Sequence, residues 1–255
     1  MGAEAIASES QPLSERLFNL LDRVNYRIVA TDADKEAAFR LRYEAYRREN
    51  LIAPVFGRRL SDHFDDLDNT FIFALDIDGE MAATIRVSIG TSEHPDMPAM
   101  EVFPDRIEPA LEAGMVIIDP TRHATSEAAS RAYPGLLPYM TTRVPWMVGS
   151  HLNADAILAT VRARHRAFYR RTFDCRVVGE PGYYPALAGE HFLMVCDQPE
   201  VRERVQRRNP VFNSSQFERR ALFGMTGQTV SIVWDDHVPV ARNGMPLAGI
   251  QLATA

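Results

Sequence analysis

The sequence predicts an α+β fold, an α/β/α sandwich in which helices flank both faces of a mixed sheet, and three observations predict it. A hydrophobic hairpin lies early, with apolar runs at 69–79 and 80–89 hinged on Asp78-Gly79. Strand–helix–strand units follow between 155 and 208. The 255 residues are 46% hydrophobic and 24% charged, enough for a sizeable core without metal or disulfide staples.

Residues 1–24 form a polar tail and a short amphipathic helix whose face is Leu17, Leu20, Leu21 and Val24, with Ser14 as its expected cap. YRIVA (26–30) alternates as a strand, and Thr31 opens a helix with Phe39, Tyr43 and Tyr46 on a common side. After the hairpin come a Pro-rich loop (90–98), a helix near 104–113 ended by Gly114, and a buried strand, MVIID (115–119). Segment 122–150 has helical tendency but carries Pro134, Pro138 and Pro145, which predicts a bent or two-piece helix. Asp155–Val161 reads as a strand, 162–173 as a basic helix, 175–179 and 191–196 as strands around a Pro/Gly/Tyr loop, and 198–208 as a helix. A last strand is expected at 228–234. No linker separates two domains, so 25–208 reads as one domain, with 209–255 an extension packing on it.

Composition excludes several functions. A net charge of −6 argues against general nucleic-acid binding by phosphate neutralisation. No stretch of about 18 apolar residues suits a membrane span. The acidic start lacks the basic, apolar pattern of a secretion signal, and Ile6 stands where a myristoylation motif needs Ser or Thr. Cys175 and Cys196 are therefore expected as reduced core residues of a cytoplasmic protein. Dinucleotide, P-loop, nucleophile-elbow and zinc-protease motifs are all missing, and the scattered histidines suggest no metal site. Lys35 is the sole lysine, so almost every cation is an arginine fork suited to carboxylates and phosphates.

Charged residues at element ends are what remain. Asp62, Asp65, Asp66 and Asp68 precede the first hairpin strand, as a solvated loop or a set of partners. Arg42 lies in its helix's aromatic stripe, either snorkelling or paired with buried carboxylates. Arg86 interrupts an apolar strand, where an unpaired charge is costly, and a loop aspartate is the economical partner. Asp119 ends a buried strand three residues before Arg122. Unpaired, it would have a raised pKa and suit a general base; paired, it would be a structural ion or a helix cap.

FRLRYEAYRRENLI (39–52), DHFD (62–65), ATIRV (83–87) and IDPTR (118–122) occur in the order seen in acyl-homoserine-lactone synthases. The chain resembles more closely the bacterial long-chain N-acyl amino acid synthases, including the N-acyl-tyrosine synthases. It shares their L-R-Y-x-x-Y-x-R-E-x-x-I helix and their R-x-x-H-x-x-F-Y-x-R-x-F segment, here 162–173, followed by TyrTyrPro at 183–185. The resemblance runs from about Tyr26 to Asp197.

It implies a GNAT-like acyltransferase fold with a sheet splayed near its middle. It also implies an acyl carrier protein as donor, bearing 4′-phosphopantetheine and needing no further cofactor, and an amino acid as acceptor. Arg42, Asp62, Asp65 and Arg86, with Tyr46 nearby, match the family's charged acceptor cluster. Asp119-x-x-Arg122 matches its E-x-x-R, with a carboxylate one methylene shorter, which favours a water relay. The Gly-rich pyrophosphate loop of ordinary GNAT enzymes is replaced by 122–131, which favours a carrier protein over CoA. Asp119 would take the acceptor's proton, and backbone N–H groups at the splay would hold the oxyanion. Leu136, Leu137, Met140, Val144, Trp146 and Met147 are candidates for an acyl tunnel or for ordinary core. Arg162, Arg164, Arg166, Arg170 and Arg171 are either a solvated helix face or a dock for an acidic carrier protein. Acyl-homoserine-lactone synthesis and non-catalytic acyl sensing on the same fold are the alternatives.

Overall fold

The computed structural model describes residues 11–185 and 187–224. Its elements, in order, are α1 (Leu13–Leu21), β1 (Val24–Ile28), α2 (Asp32–Arg48), β2 (Thr70–Ile77), β3 (Glu80–Gly90), α3 (Pro104–Glu112) and β4 (Ile117–Thr125). Then follow α4 (Glu127–Ala132), α5 (Leu137–Leu152), β5 (Ala156–Val161), α6 (Arg166–Phe173), β6 (Arg176–Val177), β7 (Phe192–Asp197), α7 (Gln198–Arg208) and α8 (Gln216–Gly224). The strands form one seven-stranded mixed sheet in the order β1-β2-β3-β4-β5-β7-β6. All neighbours are antiparallel except β4 and β5.

Strand alternation divides the sheet's two faces. Phe73, Leu75, Ile85, Val87, Ile118 and Ile157 point toward α1, α5 and α7 and form the main core with Leu17, Trp146 and Val201. Ile72 and Ala74 meet Phe39 of α2 on the opposite face. Ile117, Leu158 and Val195 meet Met97, Ile107 and Leu111 on that same face. Helices therefore cover both sides, as the α/β/α expectation requires.

Sheet continuity fails at one place. β4 and β5 pair only at Ile117↔Ala156 and Ile118↔Ile157, although β4 runs on to Thr125 and β5 to Val161. Pro120 lies just beyond the last pair and has no N–H to continue the ladder. The two parallel strands diverge from there, opening the sheet toward their C-terminal ends.

Several local expectations are corrected. Strand β4 does not stop at Asp119, and 122–125 are strand rather than helix, because they keep pairing with β3 at Thr84↔Ala124 and Ala83↔Thr125. Residues 127–152 are two helices, with a break containing Pro134 and Gly135, the latter at φ +76°. Ser14 does not cap α1: the helix starts at Leu13 behind Pro12, without a side-chain cap. The strand expected at 175–179 is only Arg176–Val177, and the segment before α6 is a 3-10 turn, Ala163–His165. Thr31 does cap α2, accepting from the Asp34 N–H at 3.1 Å. The strand expected at 228–234 lies outside the described residues.

The start of the C-terminal extension is tied down by one side chain. Arg143 of α5, 2% exposed, donates to the carbonyls of Val211 (2.7 Å) and Asn213 (2.8 Å) and to Glu218 of α8 (2.6 Å).

Candidate active site

The splay opens into a cavity of about 490 Å³. Its walls come from α2 (Tyr46, Glu49), the turn after residue 61 (Asp62, Phe64), β4 (Pro120–Thr125), β5 (Ala159–Val161), and Tyr184 and His191 of the late loop. A second, apolar cavity of about 40 Å³ lies on the α5 side of the sheet, lined by Ile85, Thr142, Pro145, Trp146, Phe173 and Cys196 among others. Pro120, His123, Ala159 and Tyr169 line both, so the second cavity continues the first through the split.

A compact charge cluster occupies the α2 side of the larger cavity. Residues His63–Asp66 form a 3-10 turn with a capping box: Asp62 accepts from the Phe64 N–H at 3.1 Å, and Asp65 accepts from the Asp62 N–H at 3.0 Å. That turn aims both carboxylates at arginines. Arg42 donates to Asp65 at 2.7 Å with both side chains buried. Arg86 donates to Asp62, lies 3.2 Å from Asp65, and reaches the Thr121 hydroxyl at 3.0 Å. Arg122 donates to the other Asp62 oxygen at 3.0 Å and stacks 5.7 Å from the Tyr46 ring centroid.

Burial pushes the Asp62 carboxyl up, but the Arg86 and Arg122 guanidiniums outweigh it and hold the group down at about 2. Within the cluster three guanidiniums share two carboxylates, and the Glu49 and Glu101 carboxylates line the same cavity. Asp66 and Asp68 are exposed and stand apart from the cluster.

A bulge delivers Arg122. Thr121 pairs with Arg86 and Ala124 with Thr84, so Arg122 and His123 together oppose the single residue Ile85. Arg122 adopts the left-handed conformation at φ +53°. The extra residue lets Arg122 reach Asp62 while His123 reaches the apolar cavity.

Asp119 takes the unpaired of its two readings, away from the cavities. It is fully buried on the face of β4 that carries Ile117, it does not line either cavity, and it makes no pair with Arg122. One carboxylate oxygen accepts from the Ala99 N–H at 2.8 Å, bracing the 3-10 turn Pro98–Glu101; the other has no hydrogen-bond partner among the described residues. Burial raises its pKa to about 6, against the lowering effects of the Ala99 N–H and Arg86.

The proposed tunnel residues are also relocated. Leu136, Leu137, Met140, Val144 and Met147 are buried and line neither cavity. Helix α5 presents Thr142, Pro145 and Trp146, spaced i, i+3, i+4, to the apolar cavity instead. Of that set only Trp146 reaches it. Among the arginines of 162–171, Arg162 and Arg164 line the cavity mouth, and Arg164 pairs with Glu49. Arg166 stacks on Phe192 at 4.4 Å, while Arg170 and Arg171 are exposed.

Sequence reasoning missed His123, Tyr184 and His191 as wall residues. Tyr169, of the 162–173 segment, lines both cavities. A helix expected from residue 122 hid His123, whose visible signal was its place directly after Arg122.

The structure superimposes on FeeM, an N-acyl amino acid synthase from uncultured soil microbes, with a TM-score of 0.60 at 14% identity, covering 72% of this chain and 98% of that one. It is similar to a CoA-dependent acyl-homoserine lactone synthase, BjaI, at TM-score 0.51 and 17% identity, covering 73% of this chain and 90% of that one. No curated protein matches the sequence. The split mixed sheet is the fold this chain shares with these two solved structures. A family model described as N-acyl amino acid synthase FeeM matches residues 37–197. The chain belongs to that family and is an N-acyltransferase.

Proposed function

We propose that this enzyme moves a long fatty acyl group from acyl carrier protein to the α-amino group of an amino acid in the cytoplasm. The observation that carries the acceptor half is the pair of guanidiniums, Arg86 and Arg122, that line the cavity where they share Asp62. An amino-acid carboxylate suits an arginine fork. Tyr46 walls the same side, next to Arg122.

The acyl chain enters the apolar cavity through the split at Pro120 and Ala159. At about 40 Å³ that cavity holds little more than one water-sized group. A long chain therefore seats itself by moving side chains on α5 and α6, with Trp146 and Tyr169 the first in its path. The thioester carbonyl then lies at the junction of the two cavities.

The amine nitrogen attacks the carbonyl carbon, and the C=O electron pair moves onto oxygen. Collapse of this adduct breaks the C–S bond and releases the pantetheine thiolate, which is protonated. Asp119 is the base, with a pKa near 6 that suits proton uptake near neutral pH. Because it is walled off from the cavity, it receives the proton through water. Backbone N–H groups left unpaired where β4 leaves β5 support the oxyanion. Arg162 and Arg164 at the mouth, with exposed Arg170 and Arg171, form a basic rim for an acidic carrier protein.

Mass spectrometry of organic extracts from cells expressing the protein tests this reading. Fatty acyl amino acids in wild-type extracts that vanish in Asp119→Asn support it. Acyl-homoserine lactones, or no new lipid from folded protein, contradict it.

A further inference from the structure

His123 is the one titratable group with an unpartnered nitrogen that lines both cavities among the described residues and takes no part in the charge cluster. Its side chain walls the polar cavity and the apolar cavity alike, where Pro120, Ala159 and Tyr169 complete the passage. Its Nε2 is buried and has no hydrogen-bond partner. The other unpaired polar groups of the region do not line both cavities: the free Asp119 oxygen lies on the opposite face of β4, the Thr160 and Tyr184 hydroxyls line only the larger cavity, and the Trp146 Nε1–H lines only the apolar one. The β4 bulge is what puts His123 there, since without the extra residue strand alternation would turn it to the other side.

A buried polar nitrogen with no partner is costly unless something fills the vacancy during function. The molecule that occupies both cavities at once is the acyl thioester, and its only polar atom at the passage is the carbonyl oxygen. We propose that His123, as the neutral imidazole, donates its Nε2–H to that carbonyl oxygen and holds the oxyanion when the amine adds to the carbonyl carbon. This rests on the acyl and acceptor assignments made above.

The chemistry suits a donor rather than a base. Burial, reinforced by the nearby His165, lowers the His123 pKa to about 4, so the ring is neutral at physiological pH. So weak a base takes protons poorly from an ammonium. A neutral imidazole still donates well to developing negative charge, and in a water-poor passage such a bond is worth more in the transition state than in water.

The test separates donation from other roles. A hexadecanoyl-pantetheine thioester labelled with ¹³C at the carbonyl is bound without acceptor, and its C=O stretch is read by difference infrared spectroscopy. The expected result is a band lower in wild type and in His123→Gln, which keeps an N–H donor, than in His123→Leu. In turnover, His123→Leu is expected to lose about 10²- to 10³-fold in kcat with little change in KM, and His123→Gln to recover most of that loss. Thermal unfolding of both variants verifies that each is folded. A band at the same frequency in wild type and His123→Leu, or a His123→Leu kcat within about 3-fold of wild type, overturns the inference. Wild type that binds no acyl thioester overturns the site assignments themselves, and this proposal with them.

Discussion

Arg122 turns away from Asp119, three residues before it on the same strand, and donates to Asp62 at 3.0 Å across the sheet surface. The bulge at Arg122–His123 makes this possible, and it decides how the charges are shared. Asp62 becomes the shared acceptor of two arginines and a backbone amide. Asp119 is left buried with one free oxygen.

Asp62→Ala is expected to be strongly destabilising, because Arg86 and Arg122 lose a partner in a buried setting. Removing one member of such a network costs about 3–5 kcal/mol. Asp62 also sets an acid limit. Its folded pKa, about 2, lies below its unfolded value, so its contribution is present above pH 4 and is lost as pH falls from about 4 through 2. The drop amounts to about 2 kcal/mol, and urea titrations across that range, with Asp62→Ala as the comparison, measure it.

Asp119→Asn is expected to trade activity for stability. The folded pKa of Asp119, about 6, is raised above the unfolded carboxylate value. The fold therefore binds a proton that the unfolded chain has released, and stability falls as pH rises from about 4 to 6. Above pH 6 the buried charge costs about 3 kcal/mol, which the amide escapes. The Asp119→Asn variant should unfold at higher denaturant than wild type at pH 8, and its residual turnover should lose the acid limb near pH 6.

Much of this was legible beforehand. The hairpin on Asp78-Gly79, the Thr31 cap and the 198–208 helix are local features, and local chemistry decides them. The pairing of Arg86 with a loop aspartate followed from the cost of a lone buried charge. The bulge was not legible, because it depends on β3 lying opposite, and by sending Arg122 to Asp62 it decides between the paired and unpaired readings of Asp119. Which α5 residues reach the apolar cavity was not legible for a related reason: α5 is buried nearly all round, so the sequence does not mark which stripe meets the split.

Ala159→Leu is expected to close the passage, since Ala159 is 3% exposed and lines both cavities. Long acyl donors should lose about 10²-fold in kcat/KM, a size typical of a blocked apolar pocket, and acetyl or butyryl donors much less. Competition between donors of two chain lengths, with products separated by mass, measures the ratio. Equal losses for both lengths would remove the passage from the acyl path.

Reversing charge at the rim, as Arg170→Glu with Arg171→Glu, is expected to slow capture of acyl carrier protein about 10-fold at low salt. The wild-type rate should fall with ionic strength and the variant's should not. Turnover of the small hexadecanoyl-pantetheine donor should be unchanged in both. A variant equally impaired with either donor would place these arginines in folding or chemistry rather than in docking.

The most direct measurement offers the purified protein hexadecanoyl-acyl-carrier-protein, hexadecanoyl-CoA, the common amino acids and S-adenosylmethionine together, and identifies products by mass. N-hexadecanoyl amino acid formed with an equal amount of free carrier-protein thiol is the predicted result, with a carboxylate-free amine accepted far more slowly. Acyl-homoserine lactone with methylthioadenosine, or acylation only from CoA, would contradict the account.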